Sequence, residues 1–200
     1  MTTDPAYAER LARSVAPRTG WRRLVDPQIP YRWNIRRLQL GRVLDVGCGV
    51  GRNLSHLDGN GVGVDHNATS VAIARERGLT AHTADEFAAS ADATPGSYDT
   101  VLFAHVLEHL IVDDARDLVQ SYLPYLRPGG CVAVICPQER GQRSDDTHVT
   151  FMPATLIGSI LTDLGCIVER SSSFPFPSVA GRWFTHNETV VMARVAPRTS

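Results

Sequence analysis

A short apolar run that ends in three alternating glycines constrains this chain most. Residues 42–53 read Arg-Val-Leu-Asp-Val-Gly-Cys-Gly-Val-Gly-Arg-Asn, which predicts a strand followed by a turn at Gly47, Gly49 and Gly51. Glycines at this spacing allow a turn that side chains would block, so a ligand can approach the main chain closely. The polar residues that follow predict a helix start, whose free N–H groups favour an anionic ligand group.

A second apolar run, residues 61–64, ends in Asp65, twenty residues after Asp45. An acid at the end of the next parallel strand can accept both hydroxyls of a ribose. The two runs together therefore predict a nucleoside cofactor that lies across the strand ends.

The spacing of the glycines bears on which cofactor this is. Dinucleotide-binding domains carry G-x-G-x-x-G, whereas this turn reads G-x-G-x-G. Asp45 would lie badly beside a pyrophosphate but suits a free ammonium group. The pattern resembles the first motif of class I S-adenosylmethionine-dependent methyltransferases. Residues 97–104 and 126–130 resemble the fourth strand of that family and the turn into its fifth strand. A dinucleotide-dependent oxidoreductase remains the alternative.

The resemblance implies an α/β, Rossmann-like fold: a seven-stranded, mostly parallel sheet with helices on both faces and an antiparallel last strand. Strands are predicted at 42–46, 61–65, 79–82, 98–104, 131–136, 166–173 and 187–195. Helices are predicted at 52–57, 69–77, 86–91, 111–125 and 153–164.

Residues 1–40 differ from the remainder in composition. They contain Trp21, Tyr31 and Trp33 together with many arginines, without a clean helical or strand period. We expect residues 1–40 to form a cap of one or two helices over the cofactor. Residues 41–200 are expected to form the methyltransferase domain.

Composition limits the partners. A net charge of −1 argues against a broad nucleic-acid surface, and no segment is apolar enough to span a bilayer. The four cysteines, at positions 48, 131, 136 and 166, lack C-x-x-C spacing and are expected to be reduced thiols of a cytoplasmic protein. An oligomer is compatible with the sequence.

The resemblance also assigns cofactor-binding roles to individual residues. It implies that Asp45 helps to hold the cofactor ammonium, Asp65 binds the ribose and Asp85 meets the adenine amino group, where Phe87 could pack on the ring. The remaining cofactor-binding residues that it implies are Gly47, Cys48, Gly49, Gly51 and Ala104.

The end of the fourth strand carries a cluster of metal-ligand residue types. His105, Glu108 and His109 stand at i, i+3 and i+4, so one helical turn would place them on one side. His148, after the fifth strand, could supply a fourth ligand. Imidazole and carboxylate together favour Zn, Co or Mn over Mg.

This cluster resembles the Glu-x-x-Glu-His run of two families of metal-assisted O-methyltransferases. These are the ubiquinone-pathway enzymes and the small-RNA terminal 2′-O-methyltransferases, and the RNA enzymes add a later histidine. In this resemblance Glu108 and His109 match the run, His148 corresponds to the later histidine, and His105 replaces the first glutamate. The loss of one negative charge disfavours binding of Mg²⁺ more than binding of a softer ion. Many relatives carry Glu-His here without a metal, and His109 then shapes the substrate pocket or acts as a base.

These observations predict an S-adenosylmethionine-dependent O-methyltransferase that acts on a hydroxyl of a saccharide or small natural product. His109 or His148 would accept the hydroxyl proton. The alternatives are a metal-independent small-molecule N- or O-methyltransferase and, after that, an NAD-dependent oxidoreductase.

Overall fold

The computed structural model describes residues 28–196. Trp21 and the rest of residues 1–27, where most of the expected cap falls, lie outside the described residues. The strands are β1 (Val43–Val46), β2 (Gly61–Asp65), β3 (Ala81–Thr83), β4 (Tyr98–Ala104), β5 (Leu126–Pro137), β6 (Cys166–Phe174) and β7 (Glu188–Val195). The α-helices are α1 (Ile29–Arg37), α2 (Arg52–His56), α3 (Ala68–Glu76), α4 (Ala84–Ala89), α5 (Val112–Tyr122), α6 (Glu139–Gln142) and α7 (Ala154–Asp163).

The seven strands form one sheet in the order β3-β2-β1-β4-β5-β7-β6. β1 pairs in parallel with β2 on one side and with β4 on the other, so the chain winds outward in both directions from β1. A crevice opens at such a point, at the carboxyl ends of the strands. β7 runs antiparallel to β5. The predicted Rossmann-like methyltransferase fold is confirmed.

Alternate residues of the central strands face opposite sides of the sheet, as the pleat requires. On one side, Val43 and Leu102 pack with Ile35 of α1. On the other side, Leu44 packs in a larger cluster that includes Ile157 of α7. Both faces of the sheet are therefore covered, which explains why its parallel strands read as continuous apolar runs.

Two element boundaries differ from the sequence prediction by three residues or more. The helix predicted at 111–125 ends at Tyr122, and Pro124 lies in a one-turn 3₁₀ segment, Leu123–Tyr125. Proline has no N–H to donate in a helix interior, which explains the early end. The fifth strand begins at Leu126 rather than residue 131, and its register with β4 shifts between Tyr98 and Thr100.

The four cysteines are free thiols. Within residues 28–196, no helix has the length and hydropathy that crossing a membrane requires.

Candidate active site

The turn between β1 and α2 forms one wall of a cavity at the carboxyl ends of the strands. Gly47, Gly49 and Gly51 have φ angles of 74°, 52° and 75°, a region that L-residues rarely adopt. A β-carbon at Gly47 would also collide with the side chain of Val106. The Gly47 N–H donates a 2.7 Å hydrogen bond to the carbonyl of Val64, so the turn is fastened to β2.

The Asp65 carboxylate lies at the end of β2 and lines the same cavity. It accepts a 2.8 Å hydrogen bond from the Gly49 N–H on one oxygen and a 2.8 Å hydrogen bond from the Asn67 N–H on the other. A carboxylate oxygen has a second lone pair, so both oxygens can still accept from a ribose diol.

Asp45 is almost completely buried, with 1% of its surface exposed. Neither of its carboxylate oxygens has a hydrogen-bond partner among the described residues. Burial raises the pKa of this carboxyl to about 7, although the nearby Asn53 amide and Arg52 guanidinium favour its ionised form. A buried carboxylate without a partner is costly, and a cofactor ammonium would relieve that cost. Asp45 therefore fits the group that the sequence predicted for it.

The cavity has a volume of about 1270 Å³. Five of the eight predicted cofactor residues line it, namely Gly47, Cys48, Gly49, Asp65 and Ala104, whereas the buried Asp45 and Gly51 lie behind this lining. Asp85 is exposed in the first turn of α4 and is not part of this lining, so its contact with adenine stays a prediction. Phe87 is buried in the core, 5.0 Å from the ring of Tyr125, and packs there rather than against the cavity.

A one-turn 3₁₀ helix, Leu107–His109, follows β4 and contributes His109 to the lining of the same cavity. The backbone carbonyl of Glu108 accepts hydrogen bonds of 2.8 and 3.0 Å from the N–H groups of Val149 and Thr150. These bonds draw the loop before α7 onto the 3₁₀ turn and bring His148 beside it. One potential metal-ligand atom from each of Glu108, His109 and His148 lies within 4.8 Å of the other two.

Backbone carbonyls fix the tautomers of both histidines. Nδ1 of His109 lies 3.1 Å from the carbonyl oxygen of Thr147, and Nδ1 of His148 lies 3.1 Å from that of Gln142. A carbonyl only accepts, so each Nδ1 carries a proton, and in the neutral form of each ring the lone pair lies on Nε2. Each ring can therefore bind a metal or accept a proton through Nε2.

The Glu108 side chain is fully buried, and neither of its carboxylate oxygens has a hydrogen-bond partner among the described residues. Burial alone would raise the pKa of this carboxyl, but the adjacent His105 outweighs burial, and the pKa is lowered. An ionised carboxylate that faces two histidine rings is the donor set that a divalent cation needs. Glu108, His109 and His148 therefore fit a metal.

The structure does not bring His105 into this group. Its φ of 60° turns the ring away from the helical side that the sequence spacing predicted. Nε2 lies 2.8 Å from Oε1 of Glu188, and Nδ1 lies 3.3 Å from Oε1 of Glu108. Burial would lower the pKa of His105, but the two carboxylates raise it to about 9. His105 is therefore an ion-pair partner of Glu108 in this structure.

Sequence reasoning missed two sets of residues at this site. Glu188 gave no signal, because it stands 83 residues from His105 and reads as the start of a strand. Four aspartates on the cavity wall were also missed: Asp114, Asp117, Asp145 and Asp146. Asp114 and Asp117 are three residues apart on α5, a spacing that could have indicated a shared helix face.

Comparison with known proteins identifies the family. Residues 18–170, well over half of the chain, match the family model for a methyltransferase domain. A ubiquinone biosynthesis O-methyltransferase of Paracidovorax citrulli is 36% identical over 124 residues, which cover 58% of this chain and 47% of that protein. The corresponding protein of Pectobacterium atrosepticum is 36% identical over 99 residues, 46% of this chain and 40% of that protein. The chain thus spans about half the length of the curated relatives it matches.

Solved structures show the same fold at low identity. Magnesium protoporphyrin IX methyltransferase of Synechocystis with bound S-adenosylhomocysteine has a TM-score of 0.67 and 16% identity, and the match covers 98% of this chain and 96% of that one. A methyltransferase of Haloferax volcanii in complex with the activator Trm112 has a TM-score of 0.69 and 17% identity, over 96% of both chains.

These matches favour methyl transfer over the dinucleotide alternative. The chain belongs to the methyltransferase-domain family, and its resemblance to class I S-adenosylmethionine-dependent methyltransferases is confirmed.

Proposed function

We propose that this protein transfers the methyl group of S-adenosylmethionine to a hydroxyl of a small molecule, with a divalent metal that holds the acceptor. One observation carries the proposal: the buried Glu108 carboxylate offers a ligand atom within 4.8 Å of those of His109 and His148, and both histidines line the cavity that the cofactor turn also lines. The names of the curated relatives support the O-methyltransferase part.

The cofactor would lie along the turn after β1. The ionised Asp45 carboxylate would pair with its ammonium, and Asp65 would accept from its ribose hydroxyls. Both acids lie at the ends of adjacent strands that are held in register. Much of the rate of an in-line displacement comes from such positioning.

Glu108, His109 and His148 would hold the metal, and Zn, Mn or Co suits two imidazoles and one carboxylate better than Mg. When bound, a divalent cation lowers the pKa of a coordinated hydroxyl and orients it. Because a histidine that binds the metal through Nε2 has no lone pair left for a proton, the acidified hydroxyl would release its proton to solvent. Its oxygen would then take the methyl group as the bond from methyl to the cofactor sulfur breaks, leaving S-adenosylhomocysteine. In the metal-independent alternative, Nε2 of His109 would instead accept the proton of the acceptor hydroxyl.

A chelating site favours an acceptor with two neighbouring oxygens. A sugar diol, a catechol or a comparable natural product meets this requirement, so we propose a saccharide or small natural-product hydroxyl. The ubiquinone-biosynthesis names of the relatives make small phenolic acceptors a sensible first choice for screening.

An amine acceptor is the second candidate. The aspartates at positions 114, 117, 145 and 146 line the cavity and would attract a cationic amine to the same wall. Methyl transfer to nitrogen would not require the Glu108–His109–His148 group.

The experiment is a crystal grown with S-adenosylhomocysteine and soaked in Mn²⁺, with an unsoaked crystal as the control. An anomalous peak bounded by Glu108, His109 and His148 supports metal-assisted transfer. Methyl incorporation is then measured with catechols, sugar diols and amines. Bound cofactor without a metal peak would contradict metal assistance, and preferential methylation of amines would favour the second candidate.

A further inference from the structure

We infer that Glu188 is a positioning residue, which acts through His105 to hold the Glu108 carboxylate toward the metal. The inference rests on the proposed metal-assisted function. Its geometric basis is a chain of three side chains in which Oε1 of Glu188 lies 2.8 Å from Nε2 of His105. Nδ1 of the same ring lies 3.3 Å from Oε1 of Glu108.

Both ring nitrogens of His105 face carboxylate oxygens. A carboxylate oxygen repels a lone pair, so each ring nitrogen that faces one carries a proton there and offers no lone pair to a metal. His105 occupies the position of the first glutamate in the Glu-x-x-Glu-His run. In this chain the residue at that position orients a metal ligand instead of being one.

The backbone directs the His105 ring toward β7. Its φ of 60° lies in the left-handed region, which costs free energy for a residue with a β-carbon. The His105 N–H donates a 2.8 Å hydrogen bond to the carbonyl of Ile135 on β5. Such a conformation persists only where the surroundings over-determine it, and the two carboxylates supply that constraint on the side chain.

Glu188 itself is held firmly. It is buried and pairs with Pro137 where β5 ends. The preceding residue, Asn187, donates hydrogen bonds of 2.8 Å to Oε1 of Gln138 and 2.9 Å to Oγ of Ser173. The backbone that carries Glu188 is therefore fixed in position, so its carboxylate can hold the His105 ring in one orientation.

The consequence concerns Glu108. With Oε1 directed to His105, Oε2 remains for a metal. Ligating carboxylates are themselves held by outer hydrogen bonds, and loss of such a partner weakens metal binding by about 10- to 100-fold. Without Glu188 the His105 ring would lose one of its two carboxylate contacts and could rotate. The Glu108 carboxylate would then no longer be held in one orientation.

The experiment measures Mn²⁺ affinity by electron paramagnetic resonance, and S-adenosylhomocysteine affinity by calorimetry, in Glu188→Ala. Glu169→Ala is the matched control, because Glu169 is an exposed carboxylate on neighbouring β6 that bonds Arg194 at 2.6 Å. Glu188→Ala should bind Mn²⁺ at least about tenfold more weakly, whereas Glu188→Gln, which keeps an acceptor oxygen, should stay within about threefold of wild type. Both Glu188 variants should bind S-adenosylhomocysteine as tightly as wild type does. The control Glu169→Ala should keep the wild-type affinity for both Mn²⁺ and S-adenosylhomocysteine.

His105→Asn tests the same positioning role if Glu188→Ala fails to fold. Asparagine tolerates positive φ but is too short to reach both carboxylates, so the same loss of Mn²⁺ affinity is expected. Folded variants that bind Mn²⁺ as tightly as wild type would overturn the positioning role and leave the proposed function intact. A wild-type protein that binds no Mn²⁺ would overturn both.

Discussion

The backbone N–H of Gly49 donates a 2.8 Å hydrogen bond to the carboxylate of Asp65. This bond joins the glycine turn after β1 to the end of β2, so the two parts of the cofactor site are positioned together. Asp65 consequently serves the site twice, as an acceptor for the turn and as the expected acceptor for the ribose.

Asp65→Ala should therefore weaken S-adenosylhomocysteine binding by between about 10- and 100-fold, because hydrogen bonds to a charged group contribute about 1.5–3 kcal/mol each. Isothermal titration calorimetry measures the loss. Glu76→Ala, an exposed acid at the end of the adjacent α3, should bind as wild type does. An Asp65→Ala affinity within twofold of wild type would remove Asp65 from the ribose site.

Cofactor binding should depend on pH through Asp45. Its pKa of about 7 in the free protein means that the carboxyl is neutral below that pH and cannot pair with an ammonium. S-adenosylhomocysteine affinity should rise about tenfold per pH unit as the pH approaches 7 from below, and then level off. Calorimetry between pH 5.5 and 7.5 measures the slope, and Asp45→Asn should abolish it while binding more weakly throughout.

A rise in pH should have the opposite effect on the stability of the cofactor-free protein, which ionisation of Asp45 should lower. Because burial raises the folded-state pKa of Asp45 from 3.8 to about 7, its favourable contribution is complete below pH 3.8 and is lost as the pH rises through about 7. Asp45→Asn should therefore melt at a higher temperature than wild type at pH 8. Equal melting temperatures at pH 8 would show that the ionised Asp45 carboxylate does not destabilise the cofactor-free protein.

Residues whose positions at the strand ends follow from local spacing were predictable from the sequence. The glycine turn, Asp65 and the Glu108–His109 pair each lie within a few residues of a strand end, and their strands alternate regularly with helices. The alternation predicted a mostly parallel sheet, and the topology rules for such chains leave few possible strand orders.

The two ion pairs of His105 were not predictable in this way. Its i, i+3 spacing to Glu108 indicates a shared helix face only if the backbone is helical, and its positive φ breaks that condition. The carboxylate that holds its ring, Glu188, comes from the last strand and carries no local signal. Long-range side-chain pairs of this kind need the folded structure.

Gly47→Ala should destabilise the fold as well as the cofactor site. The substitution places a β-carbon on a residue with φ of 74° and against the Val106 side chain. The strain and the overpacking together should cost about 2–4 kcal/mol, measured by chemical denaturation. The double variant Gly47→Ala/Val106→Ala should recover the part due to the collision. No recovery would mean that the backbone angle alone accounts for the loss.

His148→Ala should reduce Mn²⁺ affinity by about 100-fold or more, because it removes a ligand rather than an outer partner, whose loss costs about 10- to 100-fold. His186→Ala is the matched control, since His186 packs against Phe184 at 5.7 Å and does not line the cavity. Electron paramagnetic resonance of added Mn²⁺ gives both affinities. If activity survives a chelator and both variants bind Mn²⁺ equally, the two histidines act without a metal. Nε2 of His109, which keeps its lone pair while Nδ1 donates to Thr147, would then be the group that accepts the proton.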